Sequence, residues 1–135
     1  MLEHEHFILT ANVKNCPSDP KYMNAWMKQL IKNIDMEIFM GPYSKYSEME
    51  GNKGVTSVAI ITTSHIALHF FNGENGEPSK LALDVYSCKS FDVRDVLLSI
   101  EEFEPYNVDY LFLERNDKIK NKNSFWSRIF KFLFH

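Results

Sequence analysis

At the usual ~100 to 200 residues per domain, a chain of 135 residues has room for one domain and one core, which excludes a multidomain architecture. Hydrophobic residues make up 44%, aromatics 14% and charged residues 24%, the balance of a folding chain and not of a disordered or collagen-like one. The net charge of −3 argues against a general nucleic-acid binder and conceals an asymmetry: residues 1–114 carry nine basic against seventeen acidic side chains, whereas residues 115–135 carry six against one.

From Glu5 to Lys14 apolar residues alternate, with Phe7, Leu9, Ala11 and Val13 on one side, which predicts a strand with one buried face. Ser18-Asp19-Pro20 then supplies cap candidates and a proline suited to a first helical turn. Tyr22, Met23, Trp26, Met27, Leu30, Ile31 and Ile34 follow at helical spacing. Met36 to Met40 reads as a second strand, broken by Gly41-Pro42 ahead of a polar stretch, Tyr43 to Lys53, that ends at Gly54.

Val55 to Ile61 and Ile66 to Phe71 read as two strands meeting near Thr63-Ser64, a junction without the Asn-Gly or Asp-Gly chemistry of a relaxed hairpin. Residues 72–78 are a loop by composition, and Lys80 to Ser87 is the next strand, with Leu81, Leu83 and Val85 on one face. Val93, Val96, Leu97, Ile100 and Phe103 form a helical stripe within Phe91 to Phe103, with Ser90 or Asp92 as cap; Val108 to Leu113 is the last strand. The order β-α-β-β-β-β-α-β predicts an α+β fold, a two-layer sandwich with an antiparallel sheet and two helices packed on one face.

The domain is expected to span residues 1–115, followed by a basic amphipathic tail over 116–135. In that tail Phe125, Trp126, Ile129, Phe130, Leu133 and Phe134 share one helical face opposite Ser127, Arg128, Lys131 and His135. Such a helix can lie on an anionic membrane surface. Packing against protein is the favoured destination, because six large apolar side chains left in water invite aggregation. Cys16 and Cys88 are too few for a disulfide framework, and neither a secretory leader nor a bilayer-length apolar run is present. The expectation is a cytoplasmic protein with free thiols. Glu3, His4, Glu5 and His6 have no second ligand cluster, so no metal centre is expected.

An α+β sandwich hosts many functions, and the middle of the chain narrows them. Residues 54–69, GVTSVAIITTSHIALH, followed by Leu83-Asp84-Val85-Tyr86-Ser87-Cys88, resemble the core of the bacterial and archaeal S-adenosylmethionine decarboxylase family. That family carries the pattern G-[VS]-[ST]-G-V-V-x-x-x-E-S-H-x-x-x-H-T-W-P-E and then D-x-[FY]-[ST]-C. The resemblance covers about residues 5–115 and keeps the order of hydroxyl, serine, two histidines and cysteine.

The resemblance implies a chain that makes its own cofactor. Ser64 would attack the carbonyl of Thr63, the chain would be cut between Thr63 and Ser64, and Ser64 would become a pyruvoyl group that forms a Schiff base with the substrate amine. By the same resemblance His69 is the processing histidine, Thr56 the hydroxyl that assists it, and Cys88 the acid that protonates the substrate carbon. The implied substrate is S-adenosylmethionine, consumed in spermidine and polyamine biosynthesis, and the implied assembly is a homodimer with its active sites near the interface.

Two departures from the pattern matter. Thr63 stands where the family has glutamate, and Phe70-Phe71-Asn72-Gly73-Glu74 replaces the W-P-E segment after the second histidine. Phe71 is the candidate substitute for the tryptophan, and Glu74 or Glu77 for the glutamate, in substrate binding. Decarboxylation of arginine or ornithine, and an unprocessed homologue that binds a ligand or partner subunit, stay open beside the first reading. Taken singly, Ser64 is a turn serine, His69 a satisfied strand histidine, His65 an exposed turn residue, Cys88 a small buried hydrophobe and Cys16 structural.

Overall fold

A computed structural model describes residues 3–62 and 64–122. Its elements are β1 (Glu5–Val13), α1 (Pro20–Asn33), β2 (Ile38–Ser47), β3 (Gly54–Ile61), β4 (Ser64–Phe71), β5 (Ser79–Ser87), α2 (Val93–Ile100), a 3-10 turn (Glu101–Phe103), β6 (Pro105–Arg115) and β7 (Ile119–Asn121). The strands form one antiparallel sheet in the order β2-β3-β4-β5-β1-β6-β7. The chain leaves the centre of the sheet through α1 to reach the far edge strand β2, and crosses from β5 over β1 to β6 through α2.

Both helices cover the same face, as the alternation in β1 requires. Phe7, Leu9, Ala11 and Val13 are buried, and they share one core with Met23, Met27, Leu30 and Ile31 of α1 and Val93, Val96, Leu97 and Ile100 of α2. Each large apolar side chain so buried contributes about 1.5–3 kcal/mol relative to exposure. The result is the expected α+β sandwich, with no helix among the described residues on the opposite face of the sheet.

The helix starts follow from their caps. The Asp19 carboxylate accepts from the Lys21 N–H (2.9 Å) with Pro20 in the first turn, and Asp92 accepts from the Arg94 N–H (2.9 Å). Of the two candidate caps for α2, Asp92 takes the role, and Ser90 instead donates to Glu3 (2.8 Å) and Glu5 (2.9 Å). The helix is shorter than its apolar stripe, because the chain tightens into the 3-10 turn after Ile100 and Glu104 adopts φ 51°, which ends it.

Two strands outrun the sequence reading. β2 does not stop at Gly41-Pro42 but runs to Ser47. Proline is tolerated there because β2 is an edge strand whose pairing with β3 slips register between Met40 and Tyr43, so no ladder bond is lost. β6 extends from Pro105 to Arg115, and the basic segment beyond it adds β7. Pairing with β6 creates β7, whose short run carries no alternation of its own to announce it. Lys122 then reaches back to the buried Glu5 carboxylate (2.6 Å), which also accepts from Ser90 Oγ and the Phe91 N–H (3.3 Å). The amphipathic face from Phe125 to Phe134 lies outside the described residues.

Phe70 illustrates how the core is closed. Buried on β4, it meets the edge of Phe103 at 4.8 Å between ring centroids, and Phe103 in turn packs on Trp26 at 5.3 Å. Phe70→Ala should therefore cost about 3–5 kcal/mol, read as a lowered denaturation midpoint at unchanged slope.

Candidate active site

The β3–β4 hairpin and the β4–β5 pairing place the candidate residues. Ile61 lies opposite Ser64, so Thr62 and position 63 form the turn, and Thr63 itself lies outside the described residues. This register sets Thr56 directly opposite His69. On the other side of β4, His65 pairs with Tyr86, which brings Ser64, at the start of β4, beside the end of β5 and Cys88 just past it. Sequence separation is bridged by the sheet: Ser64 and Cys88 are 24 residues apart.

The first pair is in direct contact. Ser64 and Cys88 are both buried, the Cys88 backbone N–H donates to Ser64 Oγ at 2.9 Å, and the Ser64 hydroxyl donates to Cys88 Sγ at 3.7 Å. Two cavities flank it. One, of about 500 Å³, is lined by Phe39, Ile60, Thr62, Ser64 and His65; the other, of about 370 Å³, by residues 35–37, Thr62, Cys88 and Lys89. A buried hydroxyl touching a thiol and opening on an apolar-walled space can support nucleophilic and proton-transfer chemistry.

The second pair is Thr56 Oγ1 and His69 Nδ1, hydrogen-bonded at 2.9 Å, with the imidazole stacked on Phe71 at 6.2 Å. Gly54 permits the close approach of β3 to β4 there, because a Cβ at this position would lie 1.8 Å from the carbonyl oxygen of Phe70. Within one chain this pair stays apart from Ser64. Five residues of extended strand separate Ser64 from His69, roughly 16 Å, and odd spacing turns the two side chains to opposite faces. Phe71 and Glu74 lie farther still along the same direction; Glu74 faces Lys53 at 4.0 Å and Glu77 closes the turn onto Glu74.

A cluster of polar rings occupies the uncovered sheet face beside Ser64. The Tyr86 hydroxyl and His4 Nδ1 share a hydrogen bond (2.8 Å), and Tyr86 carries the Arg115 guanidinium 4.5 Å over its ring and packs against His65 at 5.4 Å between centroids. Arg115 also donates to His6 Nδ1 (3.0 Å), and His6 Nε2 bonds the Asp84 carboxylate. Burial pushes the Asp84 carboxyl up. The His6 hydrogen bond and the neighbouring His6, His65 and Arg115 side chains outweigh it and hold the group below the usual carboxylate range.

A carboxyl with a depressed folded-state pKa stabilises above its ordinary value of 3.8, and that contribution is lost as pH falls through the lower folded value. Asp84→Asn should thus be less stable than the native chain near neutrality, and the gap should close in strong acid, as thermal denaturation at both pH values would show. The sequence reading leaves His65 in a turn and His4 and His6 on an exposed strand end. Each has the outward position its alternation predicts, and only the register of four strands collects them around Tyr86.

Cys16 plays no part in either pair. Its thiol donates to Asn72 Oδ1 (3.2 Å) and burial pushes its pKa up, which makes it a poor nucleophile. Among the described residues no group of three or more His, Cys, Asp or Glu is placed to hold a metal ion, and no helix is long and apolar enough to cross a membrane.

Comparison with known proteins adds two findings. The family model described as S-adenosylmethionine decarboxylase matches residues 8–116. Among solved structures, the chain is similar to the adenosylmethionine decarboxylase from Aquifex aeolicus VF5, at 17% identity and a TM-score of 0.64, over 87% of this chain and 93% of that one. That likeness is one of fold. No curated protein matches the chain.

Proposed function

The chain belongs to the S-adenosylmethionine decarboxylase family, and from that premise we propose that it is a self-processing S-adenosylmethionine decarboxylase, a carboxy-lyase serving polyamine biosynthesis. The observation that carries the reading is the contact of Ser64 with Cys88, a nucleophile and a proton donor at the positions the family motif assigns, both buried beside a cavity.

In processing, Ser64 Oγ loses its proton as it adds to the Thr63 carbonyl carbon, and the Thr63–Ser64 amide is exchanged for an ester. Loss of the Ser64 Cα proton then breaks the Cβ–O bond and releases Thr63 as a carboxylate. Water enters and ammonia leaves residue 64, which becomes pyruvoyl. Serine supplies the nucleophile in this sequence of steps, so threonine before it does not block the chemistry. The pyruvoyl group supplies a carbonyl that takes the substrate amine and draws off the electron pair freed with carbon dioxide.

The chain's own residues do the rest. Cys88, whose sulfur lies 3.7 Å from the Ser64 hydroxyl, is the donor that returns a proton to the substrate carbon. Thr56 and His69 are the processing pair, with the hydroxyl orienting the ring. Because one chain holds them roughly 16 Å from its own Ser64, a second copy completes the site. The uncovered sheet face supports this: Ile8, Val58, Ile60, Phe71 and Leu111 on it are exposed apolar residues that a homodimer would bury. In that assembly Phe71 and Glu74 of the second copy travel with His69 toward the cavity at Ser64, where they serve as substrate contacts. The acidic body of the chain does not repel a sulfonium cation, and the two free thiols suit a reducing cytoplasm.

Denaturing intact-mass measurement after incubation tests the reading, together with release of labelled carbon dioxide from carboxyl-labelled S-adenosylmethionine. Two fragments meeting between Thr63 and Ser64, with carbon dioxide released, are expected. One full-length mass and no release would overturn it, and release from arginine or ornithine alone would move the substrate.

A further inference from the structure

The cavity that opens on Ser64 holds a second titratable side chain that the processing and protonation steps do not employ. Strand alternation turns His65 toward the uncovered face, yet at the start of β4 both residues line the same space of about 500 Å³, with Phe39, Ile60 and Thr62. Of these side chains the imidazole is the one whose chemistry is that of a general acid and base.

The ring packs against an aromatic and polar cluster. Tyr86 packs against it at 5.4 Å, and Tyr86 is itself fixed by His4 at its hydroxyl and by Arg115 over its face. His6 meets His65 edge-on at 6.4 Å and is tied to Asp84 and Arg115. The titratable and charged groups around His65 are therefore His4, just ahead of β1, His6 on β1, Asp84 and Tyr86 on β5, and Arg115 on β6, while β3 presents the apolar Ile60.

A reaction that begins with a substrate amine needs such a group. An α-ammonium with an ordinary pKa of about 7.7–8.0 must lose a proton before its lone pair can add to a carbonyl. We propose that His65 is the acid–base residue of amine capture, an inference that rests on the self-processing reading of Ser64 and extends it. The imidazole takes a proton from the substrate ammonium, and the freed lone pair adds to the carbonyl carbon derived from Ser64. The carbonyl oxygen then takes one proton from the added nitrogen and the one held by the imidazole, and departs as water. Tyr86 is the positioning residue behind the imidazole.

The test follows capture, not turnover. Processed enzyme is mixed with S-adenosylmethionine across a pH series, the captured amine is frozen with cyanoborohydride, and the mass gain of the chain beginning at residue 64 is timed. In the wild type the capture rate should hold up below the ordinary pKa of the substrate ammonium, because a base in the site removes its proton. His65→Gln should capture on the order of 10²-fold more slowly near neutrality, its rate following the free-amine fraction, with free imidazole restoring part of the rate. His65→Asn serves the same purpose if the glutamine variant does not fold. A variant that captures at the wild-type rate, or slowly but with the wild-type pH profile, overturns the role of His65. A wild-type chain that stays uncleaved overturns the self-processing reading and this inference with it; cleavage with unaltered capture sinks the inference alone.

Discussion

Ser64→Ala should leave the chain as one species of 15.8 kDa however long it is incubated, whereas the native chain should resolve into residues 1–63 and a pyruvoyl-started chain from position 64. The loss should be complete, because without the hydroxyl no ester forms and no group can become the carbonyl that holds the substrate amine. The fold should survive. Ser64 accepts one hydrogen bond from the Cys88 N–H, and such a bond contributes about 0.5–1.5 kcal/mol, too little to unfold a typical domain. Circular dichroism on the variant would separate lost chemistry from lost structure, and decarboxylation by a folded Ser64→Ala chain would contradict the pyruvoyl mechanism outright.

The second large effect concerns His69. His69→Ala alone should abolish or severely slow cleavage, since the Thr56–His69 pair is the processing pair of the proposed reading. Co-expressed with Ser64→Ala, it should recover. In a mixed dimer the intact Ser64 of one copy meets the intact His69 of the other, so the His69→Ala chain alone is cut. With random pairing about a quarter of the native sites become complete. Mass spectrometry of the co-expressed chains reads the outcome directly, because the two variants differ in mass. Absence of any cleavage in the mixture would place processing within one chain and remove the two-copy site.

Much of the fold was legible from local pattern. The odd positions of β1 announced the core face, Asp19-Pro20 marked the first helix start, the second was narrowed to Ser90 or Asp92, and the apolar runs on either side of Thr63-Ser64 announced a hairpin. What local pattern misjudged were stretches whose pairing is supplied by a neighbour. Pro42 reads as a strand breaker, but an edge strand with a register slip accommodates it, and β7 exists because β6 offers a partner. For the site, the motif named Ser64, Thr56, His69 and Cys88 but carried no distances.

The sequence by itself determined which faces are apolar, where the first helix begins, and the family, because these follow from local alternation, capping chemistry and motif spacing; the pairing of Thr56 with His69 came with the strand register. Only the tertiary structure decided that Cys88 touches Ser64, that His69 stands on the opposite face from it, and that His4, His6, His65, Asp84 and Arg115 gather around Tyr86. The reason is physical. Strand alternation and turn length are local, whereas the order β4-β5-β1-β6 comes from crossovers that bury one common core and bring residues 109 apart in the chain, His6 and Arg115, within a hydrogen bond.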